Sequence, residues 1–273
     1  MTEALSPADV PVVILCGGQG TRLREETEYR PKPMVEIGPY PILWHIMKIY
    51  RHHGLRRFVL CLGYRGWEIK QYFLRYNEMH RDFTVALDGS QPLTMDEPSV
   101  PEAPVGQEDW LVTCAETGQT SGTGARLKRV EKYVREAPLI CFTYGDAVGN
   151  VDIGQLLAFH VEQGRLATVT GVRPTSRYGE MSVTGHQVVE FNEKPIAEGV
   201  VSGGFFVFNQ GVFDYLDDDP QLFFELEPMQ RLARDGELSV YLHEEMWHPM
   251  DTYRDYLHLN EVWKSGEAPW KVW

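Results

Sequence analysis

The stretch VVILCGGQGTRLREETEYRPKPM, residues 12–34, constrains this chain more than any other. Residues 12–16 are continuously apolar and β-branched at three of five positions, the composition of a strand buried on both faces of a parallel sheet. Gly17, Gly18 and Gly20 follow at once. Lacking Cβ atoms, they let the backbone approach a ligand closely and turn N–H groups toward it, and an anion is what such a nest holds best. Arg22 adds a planar cation able to fork onto phosphate oxygens. Lys32, between Pro31 and Pro33, is a point charge on a stiff segment. The dinucleotide pattern G-x-G-x-x-G would need glycine where this chain has Leu23, and G-x-x-x-x-G-K-[ST] occurs nowhere. A nicotinamide-dependent oxidoreductase is therefore disfavoured, the more so because no paired acid ends the second strand.

With 273 residues the chain can bury a full core, and its length suits one continuous domain. Hydrophobic content of 43% and charged content of 24% are ordinary for a soluble globular protein. No apolar run approaches the roughly 20 residues that span a bilayer. The opening MTEALSPADVP has neither the basic nor the apolar region of a signal peptide, so a cytoplasmic protein with a frayed leader over residues 1–10 is expected. The net charge of −13, without a basic face, excludes a general nucleic-acid binder. Any phosphate ligand must then be small and held by local cations. Cys16, Cys61, Cys114 and Cys141 sit in apolar runs with no C-x-x-C or H-x-H pair, which reads as reduced core thiols rather than a zinc site.

Residues 41–53 place Leu43, Ile46, Met47 and Tyr50 at helical spacing and stop at Gly54, and residues 57–62 are the next strand, completing a βαβ unit. Residues 67–76 predict a helix with Ile69, Tyr72, Phe73 and Tyr76 on one face, core rather than cofactor box. Residues 88–109 hold four prolines and six acids with no Lys or Arg, which predicts an irregular surface excursion, a flap or a subunit contact. Residues 110–116 resume the sheet, 117–124 form a hydroxyl-rich turn, and 125–135 a helix with Leu127, Val130 and Val134 inward. Residues 139–144 are another buried strand, ending in Gly145 and Asp146, and ligands of open α/β sheets gather at such carboxyl ends. Asp152 caps a helix running to Gly164, and residues 167–172 follow as a strand. Beyond Arg173, short strands at 181–183, 187–191 and 200–208 predict antiparallel pairing, with helices at 223–235 and 253–264 flanking a strand at 238–243. The fold class is α/β, a doubly wound, mostly parallel sheet with a small antiparallel region.

Taken in order, LCGGQGTRL (15–23), YRPKPMVEIG (29–38), TGARLKRV (123–130), YGDAVGNVDI (144–153), FNEKP (191–195), SGGFFVFN (202–209), WHPMDTYRD (247–255) and GEAPWKVW (266–273) resemble the sugar-1-phosphate nucleotidyltransferases from about residue 12 to the end. The PILWHIMKIY helix and the APWK terminus are closest to the glucose-1-phosphate cytidylyltransferase subgroup. The resemblance implies a Rossmann-like sheet, Mg²⁺ as cofactor, a homo-oligomer, and transfer of a nucleotidyl group from an NTP to a sugar 1-phosphate with release of pyrophosphate. It implies nucleotide contacts from Leu15, Cys16, Gly17, Gly18, Gly20, Thr21, Arg22, Ser121, Arg126 and Gly145, with Arg22 on the leaving pyrophosphate and Arg126 near the base. Lys32 would stabilise charge developing at the attacked phosphorus, and Asp146 and Asp251 would hold the metal. Glu193 and Lys194 would meet the sugar 1-phosphate, and Gly203 and Gly204 would leave room for the hexose on the antiparallel side of the cleft.

The chemistry makes these residue types intelligible. A sugar phosphate is already an anionic nucleophile, so no Ser, Cys or His nucleophile is required, and the barrier is charge repulsion, met by positioning and neutralisation. Departures from the subgroup pattern are Ser202 for Asn, Ala147 for Gly, and Pro39-Tyr40 for a Gly-Lys pair, and Gln91–Asp109 matches poorly. CTP and glucose 1-phosphate, giving CDP-glucose for deoxysugar synthesis, are the expected substrates. A dTTP- or UTP-using or relaxed enzyme, and a catalytically silent regulatory subunit binding nucleotide sugars, are the alternatives. The silent subunit should have lost a cation or a metal carboxylate, yet Arg22, Lys32, Asp146, Lys194 and Asp251 are all present. Trp270 and Trp273, close to the end of the chain, read as exposed and as candidates for a subunit contact.

Overall fold

The Pro11–Cys16 strand carries apolar side chains on both faces and runs through the middle of the main sheet. It pairs in parallel with Arg57–Leu62 on one edge and Leu139–Tyr144 on the other, and Leu111–Glu116 extends the parallel block beyond Arg57–Leu62. Val12, Ile14 and Cys16 enter one apolar cluster and Val13 the other, as the two-residue period of a strand requires. The first cluster is capped by the helices Ile42–His52, Ile153–Gln163 and Tyr253–Ser265, and the second by Thr123–Val134 and Glu227–Arg234. Both faces of the sheet are thus covered, which is what an all-apolar central strand demands. This is a computed structural model that describes residues 6–96, 108–174, 180–192 and 199–273.

The other half of the sheet is mixed. Phe206–Asn209 pairs antiparallel with Leu139–Tyr144 and with Ala167–Val172, and Leu238–His243 pairs in parallel with Ala167–Val172. Residues 200–208, expected as one strand, are two short ones, Val201–Ser202 and Phe206–Asn209, both antiparallel to Ala167–Val172. The break falls at Gly204 (φ +74) and Phe205 (φ +49), both in the left-handed region that a regular strand does not adopt. Glu180–Thr184 and Gln187–Asn192 form the expected antiparallel hairpin.

Local signals fix several ends. The Asp152 side chain accepts a hydrogen bond from Gln155 N at 2.9 Å, and Gly164 ends that helix at φ +62. The helix expected from residue 223 starts only at Glu227, because the preceding segment is drawn onto the 122–125 turn: Gly122 N donates to Pro220 O at 2.9 Å and Ala125 N to Leu222 O at 3.1 Å. The helix read over 67–76 is two pieces, Gly66–Leu74 and Tyr76–His80. In the acidic Pro-rich stretch Thr94–Asp96 pairs with Asp82–Thr84, and residues 97–107 lie outside the described residues, as does the leader at 1–5. All four cysteines are free, three of them buried. Among the described residues no helix is long and apolar enough to cross a membrane.

The C-terminal tryptophans correct the sequence reading. Trp270 is fully buried, its indole Nε1 donating to His45 Nδ1 at 3.4 Å, and Trp273 packs edge-on against Trp44 at 5.6 Å. They belong to an aromatic cluster around helix Ile42–His52 in which Tyr40 stacks on Trp44 at 4.0 Å. Trp270 therefore offers no surface to a subunit contact.

Burial holds the His45 imidazole neutral, pushing its pKa from the ordinary 6.5 down to about 4, and His160 behaves alike. The unfolded chain takes up protons near pH 6.5 that the folded one refuses, so stability should fall as pH drops from about 6.5 toward 4. Urea midpoints measured between pH 7 and 5 should show this slope, and His45→Gln should flatten part of it. An unchanged slope in that variant refutes the assignment.

Candidate functional site

Three parallel strands end side by side, Pro11–Cys16 running into Gly17, Arg57–Leu62 into Gly63 and Leu139–Tyr144 into Gly145. A cavity of about 310 Å³ opens over the ends of Pro11–Cys16 and Leu139–Tyr144. Leu15, Gly17, Gly18, Gly20, Thr21 and Arg22 line it from the first turn, and Lys32, Ser121, Arg126, Gly145 and Asp146 complete most of its wall. Cys16 does not line it. That side chain is buried in the apolar layer on the opposite side, where desolvation pushes its thiol pKa well up.

At Gly17 and Gly145 neighbours leave no room for a side chain. A Cβ on Gly17 would lie 2.1 Å from Arg126 Nη1, and one on Gly145 would lie 2.6 Å from Leu15 O. Gly20 turns at φ +62 and is held by Thr27, whose Oγ1 donates to Gly20 O at 2.9 Å. Leu23, which breaks the dinucleotide pattern, is fully buried.

Arg126 is 4% exposed, a guanidinium sealed among backbone carbonyls. Nη1 donates to Leu62 O at 3.0 Å and to Thr117 Oγ1 at 2.8 Å, and Nη2 donates to Gly17 O at 3.1 Å. Desolvation lowers its pKa, yet guanidinium stays charged in any protein interior. These acceptors and Gln119 O, which accepts from Nη2 at 3.5 Å, are all neutral, so no carboxylate among them cancels the charge that Arg126 brings to the cavity wall. Arg129, which the sequence reading passed over, donates to Thr117 O and Ser121 Oγ and fixes the same loop.

The second focus of charge lies at Lys32. Its Nζ donates to Asp146 Oδ2 at 2.7 Å and to Asp251 Oδ1 at 2.8 Å, and Arg22 Nη1 donates to Asp251 Oδ2 at 3.0 Å. The carboxylates are brought together by backbone pairing: Ala147–Gly149 and Trp247–Pro249 form an antiparallel ribbon, and Met250 N donates to Asp146 O at 2.8 Å. A capping box then fixes the chain after Asp251, the Asp255 carboxylate accepting from Thr252 N at 2.8 Å and from Asp251 N at 3.1 Å. Burial alone would lower the Lys32 pKa, but Asp146 and Asp251 outweigh it and hold it above its ordinary value. Lys32 is a fixed cation at working pH. Two hard oxygen donors from different segments already converge on one positive centre, which is the donor chemistry a Mg²⁺ ion takes up together with phosphate oxygens and water. Among the described residues no cluster of three or more His, Cys, Asp or Glu is placed to hold a metal ion by itself.

Gly203 and Gly204 lie just behind this cavity and do not line it. A Cβ on Gly204 would meet the Tyr144 ring at 3.0 Å, and Gly203 O accepts from Trp247 Nε1 at 2.8 Å. Glu193 and Lys194 lie outside the described residues. Pro33, Thr123, Tyr144 and Phe223 line the cavity without having been singled out from sequence. Thr123 and Tyr144 both hydrogen-bond the Glu225 carboxylate, so the 219–226 segment forms a side wall. The TSGTG turn hinted at Thr123, whereas nothing local marks Phe223 or Glu225.

Residues 11–265 match the nucleotidyl transferase family. Glucose-1-phosphate cytidylyltransferase of Salmonella typhimurium is 45% identical over 262 residues, 96% of this chain and 98% of that protein. A probable glucose-1-phosphate cytidylyltransferase of Bacillus subtilis is 41% identical over 261 residues, 96% of this chain and 99% of its own. Among solved structures, a putative glucose-1-phosphate thymidylyltransferase from Bacillus anthracis superposes with a TM-score of 0.65 at 16% identity, covering 93% of this chain and 94% of that one. At that identity it shows the fold alone.

The crowding at the turn is testable. Gly17→Ala should cost about 1–3 kcal/mol in urea unfolding, because its methyl must displace the buried guanidinium. Gly18→Ala, whose Cβ would meet nothing within 4 Å, should be near neutral. Equal effects would show that the turn is not shaped by Arg126.

Proposed function

The chain belongs to the nucleotidyl transferase family, and on that premise we propose that this nucleotidyltransferase joins CTP and α-D-glucose 1-phosphate to give CDP-glucose and pyrophosphate, with Mg²⁺ on Asp146 and Asp251. The observation that carries the reading is the meeting of Lys32, Arg22, Asp146 and Asp251 beside a glycine turn over the carboxyl ends of two parallel strands. The relatives named above support CTP and glucose 1-phosphate as the pair.

The reaction needs two polyanions brought together. The glycine turn offers backbone N–H groups and no side-chain bulk, which suits a triphosphate. Arg126 braces that turn through Gly17 O, keeping its donors aimed without reorganisation when charge builds up. Lys32 and Arg22 supply mobile positive charge on flexible stems, Lys32 for the attacked phosphate and Arg22, exposed at the rim, for the departing pyrophosphate. When bound, Mg²⁺ would neutralise phosphate charge as a Lewis acid. The sugar phosphate oxygen is the nucleophile, so the hydroxyls of Thr21, Ser121 and Thr123 serve as binding groups. Glu193 and Lys194 are proposed for the sugar phosphate on resemblance alone. Free buried thiols fit a cytoplasmic setting.

A matrix of NTPs against hexose 1-phosphates, read as pyrophosphate release, tests this. CTP with glucose 1-phosphate should give the highest rate. A maximum at another pair reassigns the substrates, and silence for every pair removes the activity. Asp146→Asn and Asp251→Asn should each lower turnover by about 10²-fold or more with a nearly unchanged melting temperature. Chelation should abolish release and added Mg²⁺ restore it. Activity unaffected by chelation would defeat the metal assignment.

A further inference from the structure

Lys32 occupies the point on which Asp146 and Asp251 converge, with Nζ 2.7 Å and 2.8 Å from their nearer oxygens. A small hard cation held by the same two carboxylates would take up that volume, since its oxygen ligands lie at about 2.0–2.1 Å. The ammonium and such an ion cannot share it. Resting on the metal role proposed for Asp146 and Asp251, we propose that Lys32 is an exchangeable internal counter-cation. It holds the two carboxylates together in the substrate-free protein and gives them up to the metal, turning then to phosphate.

Charge balance supports the exchange. The four groups in direct ion-pair contact, two carboxylates, the Lys32 ammonium and the Arg22 guanidinium, sum to zero charge, with the Asp255 carboxylate behind them on Asp251 N. Adding a dication while both cations stayed would leave those four groups and the ion with an excess of two positive charges in a half-buried site where like charges repel strongly. Arg22 is exposed on a single carboxylate contact, whereas the Lys32 side chain is 11% exposed, so Lys32 is the group in the way. It also has somewhere to go. Its stem leaves the backbone beside the glycine turn, Cβ lying 3.1 Å from where a Gly20 Cβ would be, and the side chain already lines the cavity. Rotation of the terminal torsions moves the ammonium along the cavity wall without disturbing the Pro31–Pro33 backbone. A free metal ion must compete with this tethered cation. A metal carried on a triphosphate brings the oxygens that receive it. The design therefore favours entry of metal together with nucleotide.

Electron paramagnetic resonance of Mn²⁺ titrated into the substrate-free protein tests this without turnover. Lys32→Met should bind Mn²⁺ at least about tenfold more tightly than the unaltered protein, as expected when a competing charge is removed. Adding Asp251→Asn to that variant should abolish the gain. Unchanged or weaker binding in a folded Lys32→Met protein overturns the exchange, and leaves the metal assignment standing if Asp251→Asn alone still loses Mn²⁺. If Asp146→Asn and Asp251→Asn bind Mn²⁺ as the unaltered protein does, the metal assignment fails and the exchange fails with it. Because Lys32→Met removes the cation between two carboxylates and can unfold the site, lysine acylation followed by mass spectrometry on the unaltered protein gives a second measure. Saturating Mg²⁺ should raise labelling of Lys32 several-fold relative to the exposed Lys264. No change there also overturns the exchange.

Discussion

Hydrogen bonding of the Pro11–Cys16 strand on both of its edges is the constraint from which the site follows. Pairing with Arg57–Leu62 and with Leu139–Tyr144 brings three strand ends to one level. Where each chain leaves the sheet stands a glycine, Gly17, Gly63 or Gly145. Two of them border one guanidinium, since a Cβ on Gly17 or on Gly63 would lie within 2.5 Å of Arg126 Nη1. Arg126 fills the gap between the turns and ties them together, adding a donor to Leu62 O and Gly17 O beyond the backbone N–H groups of Thr117 and Tyr64 that already pair with them. Sheet geometry thus dictates the glycines, the glycines admit the arginine, and the arginine gives the cavity a positive wall.

The charge at the rim is set by a different part of the fold. Lys32 and Asp251 are 219 positions apart in sequence. Their separation in space depends on how the last helix, Tyr253–Ser265, seats against the turn that follows Lys32. Asn260 makes that joint: its Oδ1 accepts from Gly38 N at 2.9 Å and its Nδ2 donates to Glu36 O at 3.2 Å. The buried Trp270 and the aromatic cluster around His45 anchor the chain just beyond. Packing remote from the cavity therefore holds Asp251 against Lys32. An isolated pair would gain little from its charges, but a network fixed by backbone pairing and a capping box loses little entropy in forming.

This arrangement resolves an apparent conflict. A chain with net charge −13 repels anions at long range, yet the site must gather two of them. The field that matters is local, because charges beyond about 8 Å are largely screened at physiological salt. Arg126, Lys32, Arg22 and the glycine turn all line the cavity, so its cations stand where a phosphate would enter. The carboxylates are useful to an anion site only through a cation between them, which the ammonium supplies in the substrate-free protein.

By itself the sequence determined the elements whose cause is local. The apolar run at 12–16, the glycine turn, the Asp152 cap and the hairpin after Arg173 were legible because strand and helix periods and turn chemistry act within a few residues. So were the chemical types at the site, since phosphate chemistry asks for particular side chains. Tertiary structure alone decided which of them meet. It sealed Arg126, expected near the base, among the carbonyls of the turn, and drew Trp270 inward. It also turned residues 223–226, expected as the start of a helix, into part of a side wall of the cavity, because the 122–125 segment holds the carbonyls of Pro220 and Leu222 just before them. Each of these outcomes depends on a partner far along the chain, and no local pattern carries the distance between Lys32 and two carboxylates that only strand register and helix seating can fix.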